Sequence, residues 1–126
     1  MGSTLEDLGG ASYLLVTTFR KDGTAVPTPV WAARDGDAIS FWTVVTTGKI
    51  KRIGRNPEVL VAQCDRRGRP RGDAAPGRAA VLDAEGTARV RVLLKKKYGL
   101  QARVALAFSR LFRGTDGTIG VRIVLD

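Results

Sequence analysis

"SYLLVTTFRKDGTAVPTPVWAARDGDAISFWTV", residues 12 to 44, decides the fold. Runs rich in β-branched, aromatic and aliphatic residues are separated by Asp22-Gly23 and Asp35-Gly36. Asp-Gly between such runs is a strong hairpin signal, because the tight turns that match strand twist need positive φ. The segment reads as an antiparallel meander with strands at 12–19, 24–33 and 38–44. Pro27 and Pro29 each remove a ladder donor, so the first half of the second strand belongs on a sheet edge or at a bulge.

Outward from the meander, "TTGKIKRIGRNPEV" (46–59) changes period. Thr46 and Thr47 can cap a short helix, and Pro57 limits its far end. Ile50 and Ile53 share one face at helical spacing, and the cations Lys49, Lys51, Arg52 and Arg55 are expected to spread over the exposed one. "EVLVAQCD" (58–65) is a fourth strand, "RRGRPRGDAAPG" (66–77) a loop or hairpin arm, and "RAAVLD" (78–83) a fifth strand. Asp83 should cap a helix over about 84–98 that ends at Gly99, with a second helical stretch at about 100–112. "GTDG" (114–117) is a turn and "TIGVRIVL" (118–125) a sixth strand. No repeat or linker divides the chain. The expectation is one domain over 1–126 with a flexible segment at 1–10. It is a mainly β, six-stranded antiparallel barrel with a short helix after the third strand and a helical pair before the last.

A chain of 126 residues can bury a real core without staples. Its apolar runs are too short to span a bilayer, and the N-terminus lacks the pattern of a signal peptide, so a cytoplasmic protein without a membrane span is expected. Cys64 is the single cysteine, which rules out an internal disulfide and suits a reducing compartment. There is no histidine. That excludes a Ser-His-Asp triad, a Cys-His pair and a His-based zinc or haem site. The carboxylates are scattered, so no metal site is expected and no catalytic side chain is named.

The net charge of +9 is uneven. Residues 1–48 hold three basic and five acidic residues, while 49–126 hold eighteen basic and seven acidic. Such asymmetry points to an anionic partner. A nucleic acid is disfavoured, because no aromatic stacking set accompanies the cations. A membrane surface or one small anionic ligand would also suit the charge. The Thr46-Thr47-Gly48 start of the helix offers hydroxyls, free N–H groups and the positive end of a dipole, and Lys49, Lys51 and Arg52 add charge-assisted donors.

The ordered set "YLLVTTFRKDGTAVPTPVWAA…GDAISFWTVVTTGKIKRIGRNPEVLVAQCD" resembles the pyridoxamine phosphate oxidase-like split β-barrel family, which is FMN-binding-like in fold. "KIKRIGRNPEVLVAQCDRRGRPRG" with "KKKYGLQAR" is similar to its actinobacterial flavin/deazaflavin oxidoreductase branch, which uses coenzyme F420. The resemblance spans about residues 11 to 125. It implies an F420-dependent oxidoreductase that transfers hydride to a small organic substrate, working as a homodimer with the cofactor at the subunit interface. An FMN-dependent oxidase or reductase of the same fold, or a non-enzymatic cofactor-binding protein, is the alternative.

The resemblance also implies site residues. Lys49 is the candidate for the cofactor phosphate, with Thr47, Lys51 and Arg52 beside it. Thr28, Val30 and Trp31 lie on the strand that reads the ring, and Thr43 is near the cofactor. Trp31 and Trp42 either wall the ring slot or are ordinary core. Gln63 is either a polar contact to the cofactor or a cross-strand hydrogen bond. The oligoglutamate tail of the deazaflavin would call on Arg66, Arg67, Arg69 and Arg71, and on Lys95 to Lys97. Tyr98 is a candidate proton source.

Overall fold

The computed structural model describes residues 5–44, 48–99 and 118–126. Its elements are α1 (Leu5–Gly10), β1 (Tyr13–Phe19), β2 (Ala25–Val30), β3 (Ala32–Asp35), β4 (Ala38–Val44), α2 (Gly48–Arg55), β5 (Glu58–Cys64), β6 (Ala75–Val81), α3 (Ala84–Tyr98) and β7 (Thr118–Leu125). The strands form one antiparallel sheet in the order β2-β1-β5-β6-β7-β4-β3.

The sheet has seven strands where the sequence suggested six. The run at 24–33 is not one strand but two, β2 and β3, which part at Trp31. They are the two edges of the sheet, yet Val30 and Ala32 are only two residues apart. Two residues of chain reach at most about 7 Å. The sheet must therefore curl until its edges meet at this corner, which is how a half-open barrel forms. Pro27 and Pro29 lie on β2, whose only ladder among the described residues is with β1. They fit there because an absent N–H is harmless only where it faces away from the neighbour.

The inner face of the barrel is the core. Leu14, Val16, Ile39, Phe41, Val61, Val121 and Ile123 are fully buried, and burying each such side chain stabilises by about 1.5–3 kcal/mol. Leu8 of α1 is equally buried, so the segment read as flexible is helical from Leu5 and plugs one end of the core. The fifth strand begins at Ala75, earlier than the loop reading allowed.

α3 covers the outer face of β3, β4 and β7. Asp83 caps it, its Oδ1 accepting from the Gly86 N–H at 2.8 Å, and Gly99 closes it with an N–H to the Lys95 carbonyl at 2.8 Å. The approach to the sheet is close because Gly120 has no side chain. A Cβ there would lie 3.1 Å from the Thr87 Cα and 3.0 Å from the Val90 Cγ2. The Gly120 N–H instead donates to the Thr87 hydroxyl at 3.0 Å. Thr47, the expected helix at 100–112 and the turn at 114–117 lie outside the described residues.

Candidate functional site

α2 packs against β1 and β6, with Ile53 buried and Ile50 half-buried against the core. Lys49 is not on the exposed face where the helical reading put it; it is 9% exposed. The physical reason is spacing. Lys49 stands one turn before Ile53, and residues four apart share a stripe on a helix. A helical side chain also leans toward its own N-terminus, so the ammonium leans toward the start of α2. Burial pushes the Lys49 pKa below its ordinary 10.5, and neighbouring Arg52 pushes in the same direction.

Arg52 folds back over that same helix start. Its Nε donates to the Thr18 hydroxyl of β1 at 2.7 Å, and its Nη1 would lie 2.6 Å from any Cβ at position 48, so Gly48 is the residue that leaves it room. Desolvation lowers the Arg52 pKa, with Arg20 and Arg55 adding repulsion. Lys51 and Arg55 are exposed. Among the described residues no carboxylate pairs with Lys49 or Arg52. A desolvated ammonium without a counter-charge is unfavourable. An anion at the start of α2 would relieve it and would also meet the dipole of the helix.

The Trp31 corner is differently built. Val30 points into the core and Trp31 lies under α3, packed with Trp42, Leu93 and Tyr98. Trp31 stacks on Tyr98 with centroids 4.8 Å apart, and Trp42 is tilted against it at 6.2 Å. The Tyr98 hydroxyl donates to the Ser12 carbonyl at 2.8 Å and accepts from the Ala32 N–H at 3.2 Å. Burial raises its pKa. Tyr98 therefore acts as a tie between backbone segments, and its proton is committed. Lys97 is likewise spoken for. Its ammonium donates to the carbonyls of Gly9, Ala11 and Ala32. Thr28 is half-buried, with a long hydroxyl contact of 3.4 Å to the Val16 carbonyl, and Thr43 is buried at 7% exposure.

At the end of β1 away from Thr18, a cleft of about 670 Å³ is lined by Ser12, Tyr13, Gln63, Cys64 and Arg66, Arg67, Arg69 and Arg71. Gln63 there donates to the Asp7 carbonyl of α1 at 2.9 Å. Arg69 is bound to Asp65, Nε to Oδ2 at 2.6 Å. Lys49 and Arg52 thus come together at α2, while Gln63 and Arg69 belong to the far cleft and Trp31 to the α3 face. The tie through Tyr98 and Lys97 was not read from the sequence. A Lys-Tyr pair just before a helix-ending glycine carries no local mark of what it will reach.

Neither a scan against protein-family models nor a search of curated proteins finds a match. Solved structures do match. The conserved hypothetical protein Rv2991 from Mycobacterium tuberculosis superposes with a TM-score of 0.71 at 21% identity, covering 96% of this chain and 77% of that one. A putative pyridoxamine 5'-phosphate oxidase from Listeria innocua gives 0.57 at 19% identity, covering 97% and 87%. An F420 reductase gives 0.62 at 19% identity, covering 100% of this chain and 96% of that one. The chain has the split β-barrel fold of the pyridoxamine phosphate oxidase-like proteins. Among the described residues no helix is long and apolar enough to cross a membrane.

Proposed function

We propose that the protein is an oxidoreductase that binds coenzyme F420, with its phosphate on Lys49. The observation that carries this reading is the buried Lys49 residue, whose partly desolvated ammonium has no counter-charge among the described residues, beside the Arg52 guanidinium anchored over the start of α2. That donor set fits a phosphate. An F420 reductase is among the solved structures that share the fold over the full length of this chain, which supports the deazaflavin reading.

Lys49, Arg52, Lys51 and Thr47 would hold the anion, and Thr28, Val30, Trp31 and Thr43 would border the ring. Gln63 and Arg69 would lie toward the tail. When bound, a deazaflavin supplies the hydride, so the chain's own work is to bind, orient and exclude water. Arg52 fixes the anion through its hold on Thr18, and Tyr98 holds the Trp31 plane in place. A small organic molecule is the substrate, and two chains assemble as a homodimer with the cofactor between them.

Titration with F420 and with FMN, followed by tryptophan fluorescence, tests the reading. Tighter binding of F420, lost in Lys49→Met, is the expected result. Equal or stronger FMN binding would favour the FMN-dependent alternative. Light scattering that finds a monomer with cofactor still tightly bound would remove the dimer.

A further inference from the structure

Lys97 is a half-buried cation that the α2 site does not use. An ammonium has three donors, and here all three are engaged. They meet the carbonyls of Gly9, Ala11 and Ala32 at 3.0, 2.7 and 2.5 Å. The Tyr98 ring covers a further side, its centroid 5.1 Å from Nζ. No carboxylate pairs with Lys97 among the described residues, and burial lowers its pKa. Three oxygen acceptors and an aromatic face are the surroundings of a bound ammonium ion.

The carbonyls come from two separate segments. Gly9 and Ala11 lie at the end of α1, a helix of 6 residues with no basic residue in its last turn. So short a helix is marginal by itself. A cation at its C-terminal end satisfies open carbonyls and meets the negative end of the dipole. Ala32 opens β3 directly after the Trp31 corner. Its N–H goes to the Tyr98 hydroxyl and its carbonyl to Lys97, so the last two residues of α3 hold both of its backbone groups. We propose that the carbonyls of Gly9, Ala11 and Ala32 with the Tyr98 ring form a site for a small primary ammonium, filled in this chain by its own Lys97, which locks α1 and the sheet corner to α3. The acceptors set the ligand class. A divalent ion would lack the carboxylates it needs, and a quaternary ammonium has no N–H to donate. Through Ala32, Lys97 is also a positioning residue for Val30 and Trp31, which would border the ring; this step alone rests on the function proposed above.

Lys97→Ala removes the ammonium and opens the space where its stem ran. Denaturant unfolding and tryptophan emission of this variant, in methylammonium chloride and in tetramethylammonium chloride at equal ionic strength, test the site. Wild type, whose site is full, sets the baseline for the two salts. In tetramethylammonium the unfolding midpoint should fall below that of wild type and the emission should shift. Methylammonium should recover roughly half of that fall or more, by mass action on the folded state. Lys97→Met, whose apolar stem still fills the space, should not recover. A Lys97→Ala protein as stable as wild type, recovery no greater than the baseline difference, or equal recovery in Lys97→Met overturns the proposal. Should Lys97→Ala fail to fold, NMR of nitrogen-15-labelled wild type decides. One lysine ammonium, protected by its three bonds, should exchange slowly enough to give a signal that Lys97→Met lacks; no such signal overturns the proposal. For the positioning step, Lys97→Ala should bind F420 more weakly, methylammonium should restore it, and Lys49→Met should not respond. Unchanged affinity overturns that step. Failure of the α2 reading looks different: Lys49→Met then binds cofactor like wild type, while methylammonium still recovers the stability of Lys97→Ala.

Discussion

The Trp31 indole lies on the Tyr98 phenol ring with centroids 4.8 Å apart and planes 11° from parallel. Trp31 is the corner where the two edges of the sheet meet, and Tyr98 is the last residue of α3. The stack, with the Tyr98 hydroxyl between Ser12 and Ala32, holds the barrel closed from outside. Tyr98→Phe keeps the ring and strands the Ala32 N–H. A loss of about 1–2 kcal/mol in unfolding free energy is expected, with tryptophan emission unchanged. Tyr98→Ala should lose more and shift that emission to the red. Denaturant unfolding followed by fluorescence checks both.

Lys49 gives a pH dependence with a definite sign. Its folded pKa is lowered by burial, so below 10.5 the unfolded chain holds this proton more firmly than the folded one. The charge opposes folding at neutral pH, and stability rises as pH climbs through the window beneath 10.5. Lys49→Met should therefore stabilise the free protein at pH 7, with the difference from wild type shrinking toward alkaline pH. Cofactor affinity should run the other way, falling through the same window as the ammonium is lost. The variant should bind about ten- to a hundredfold more weakly, the range set by a hydrogen bond to a charged group. A Lys49→Met protein less stable than wild type at pH 7 would contradict this.

Gly120 tests the seat of α3. A methyl there meets the Thr87 Cα at 3.1 Å, a helix backbone atom that cannot swing aside. Gly120→Ala should destabilise by about 1–3 kcal/mol, as overpacking does, despite the smaller entropy of the unfolded chain. Gly120→Val should be worse. Thermal unfolding of the two variants measures the order.

Asp65 holds the arginine hairpin through bonds to Arg69 and Arg67, and they lower its carboxyl to about 2. A depressed carboxyl contributes stability that is present above the unfolded value of about 4 and lost as pH falls through the folded one. The Arg67 and Arg69 amides should therefore lose exchange protection between about pH 4 and pH 2 while the core strands keep theirs. Asp65→Ala should release them at neutral pH. Amide exchange by NMR reads this directly.

Much of the fold was legible because local chemistry dictates it. The Asp-Gly turns place Gly23 and Gly36 at positive φ as expected, and Asp83 and Gly99 bound α3 as their cap chemistry requires. Runs of β-branched and apolar residues between turn signals marked the meander and the last strand, because such side chains suit a pleated, half-buried surface. The break at Trp31 was invisible, since nothing in "TPVWAA" distinguishes one long strand from two that change edges.

The candidate site divides along the same line. Charge and spacing in the sequence by themselves determined that residues 49–55 form a basic helix suited to an anion, and that a chain without histidine cannot run His-based chemistry. Only the tertiary structure decided which cations are available. It buried Lys49, anchored Arg52 on Thr18, and tied Arg69 to Asp65 and Lys97 to three carbonyls, leaving Arg66, Arg67 and Arg71 exposed on the cleft. Composition alone fixes how many charges a chain carries. Which of them meet a partner depends on distances between residues far apart in the chain, and those exist only once the sheet has curled.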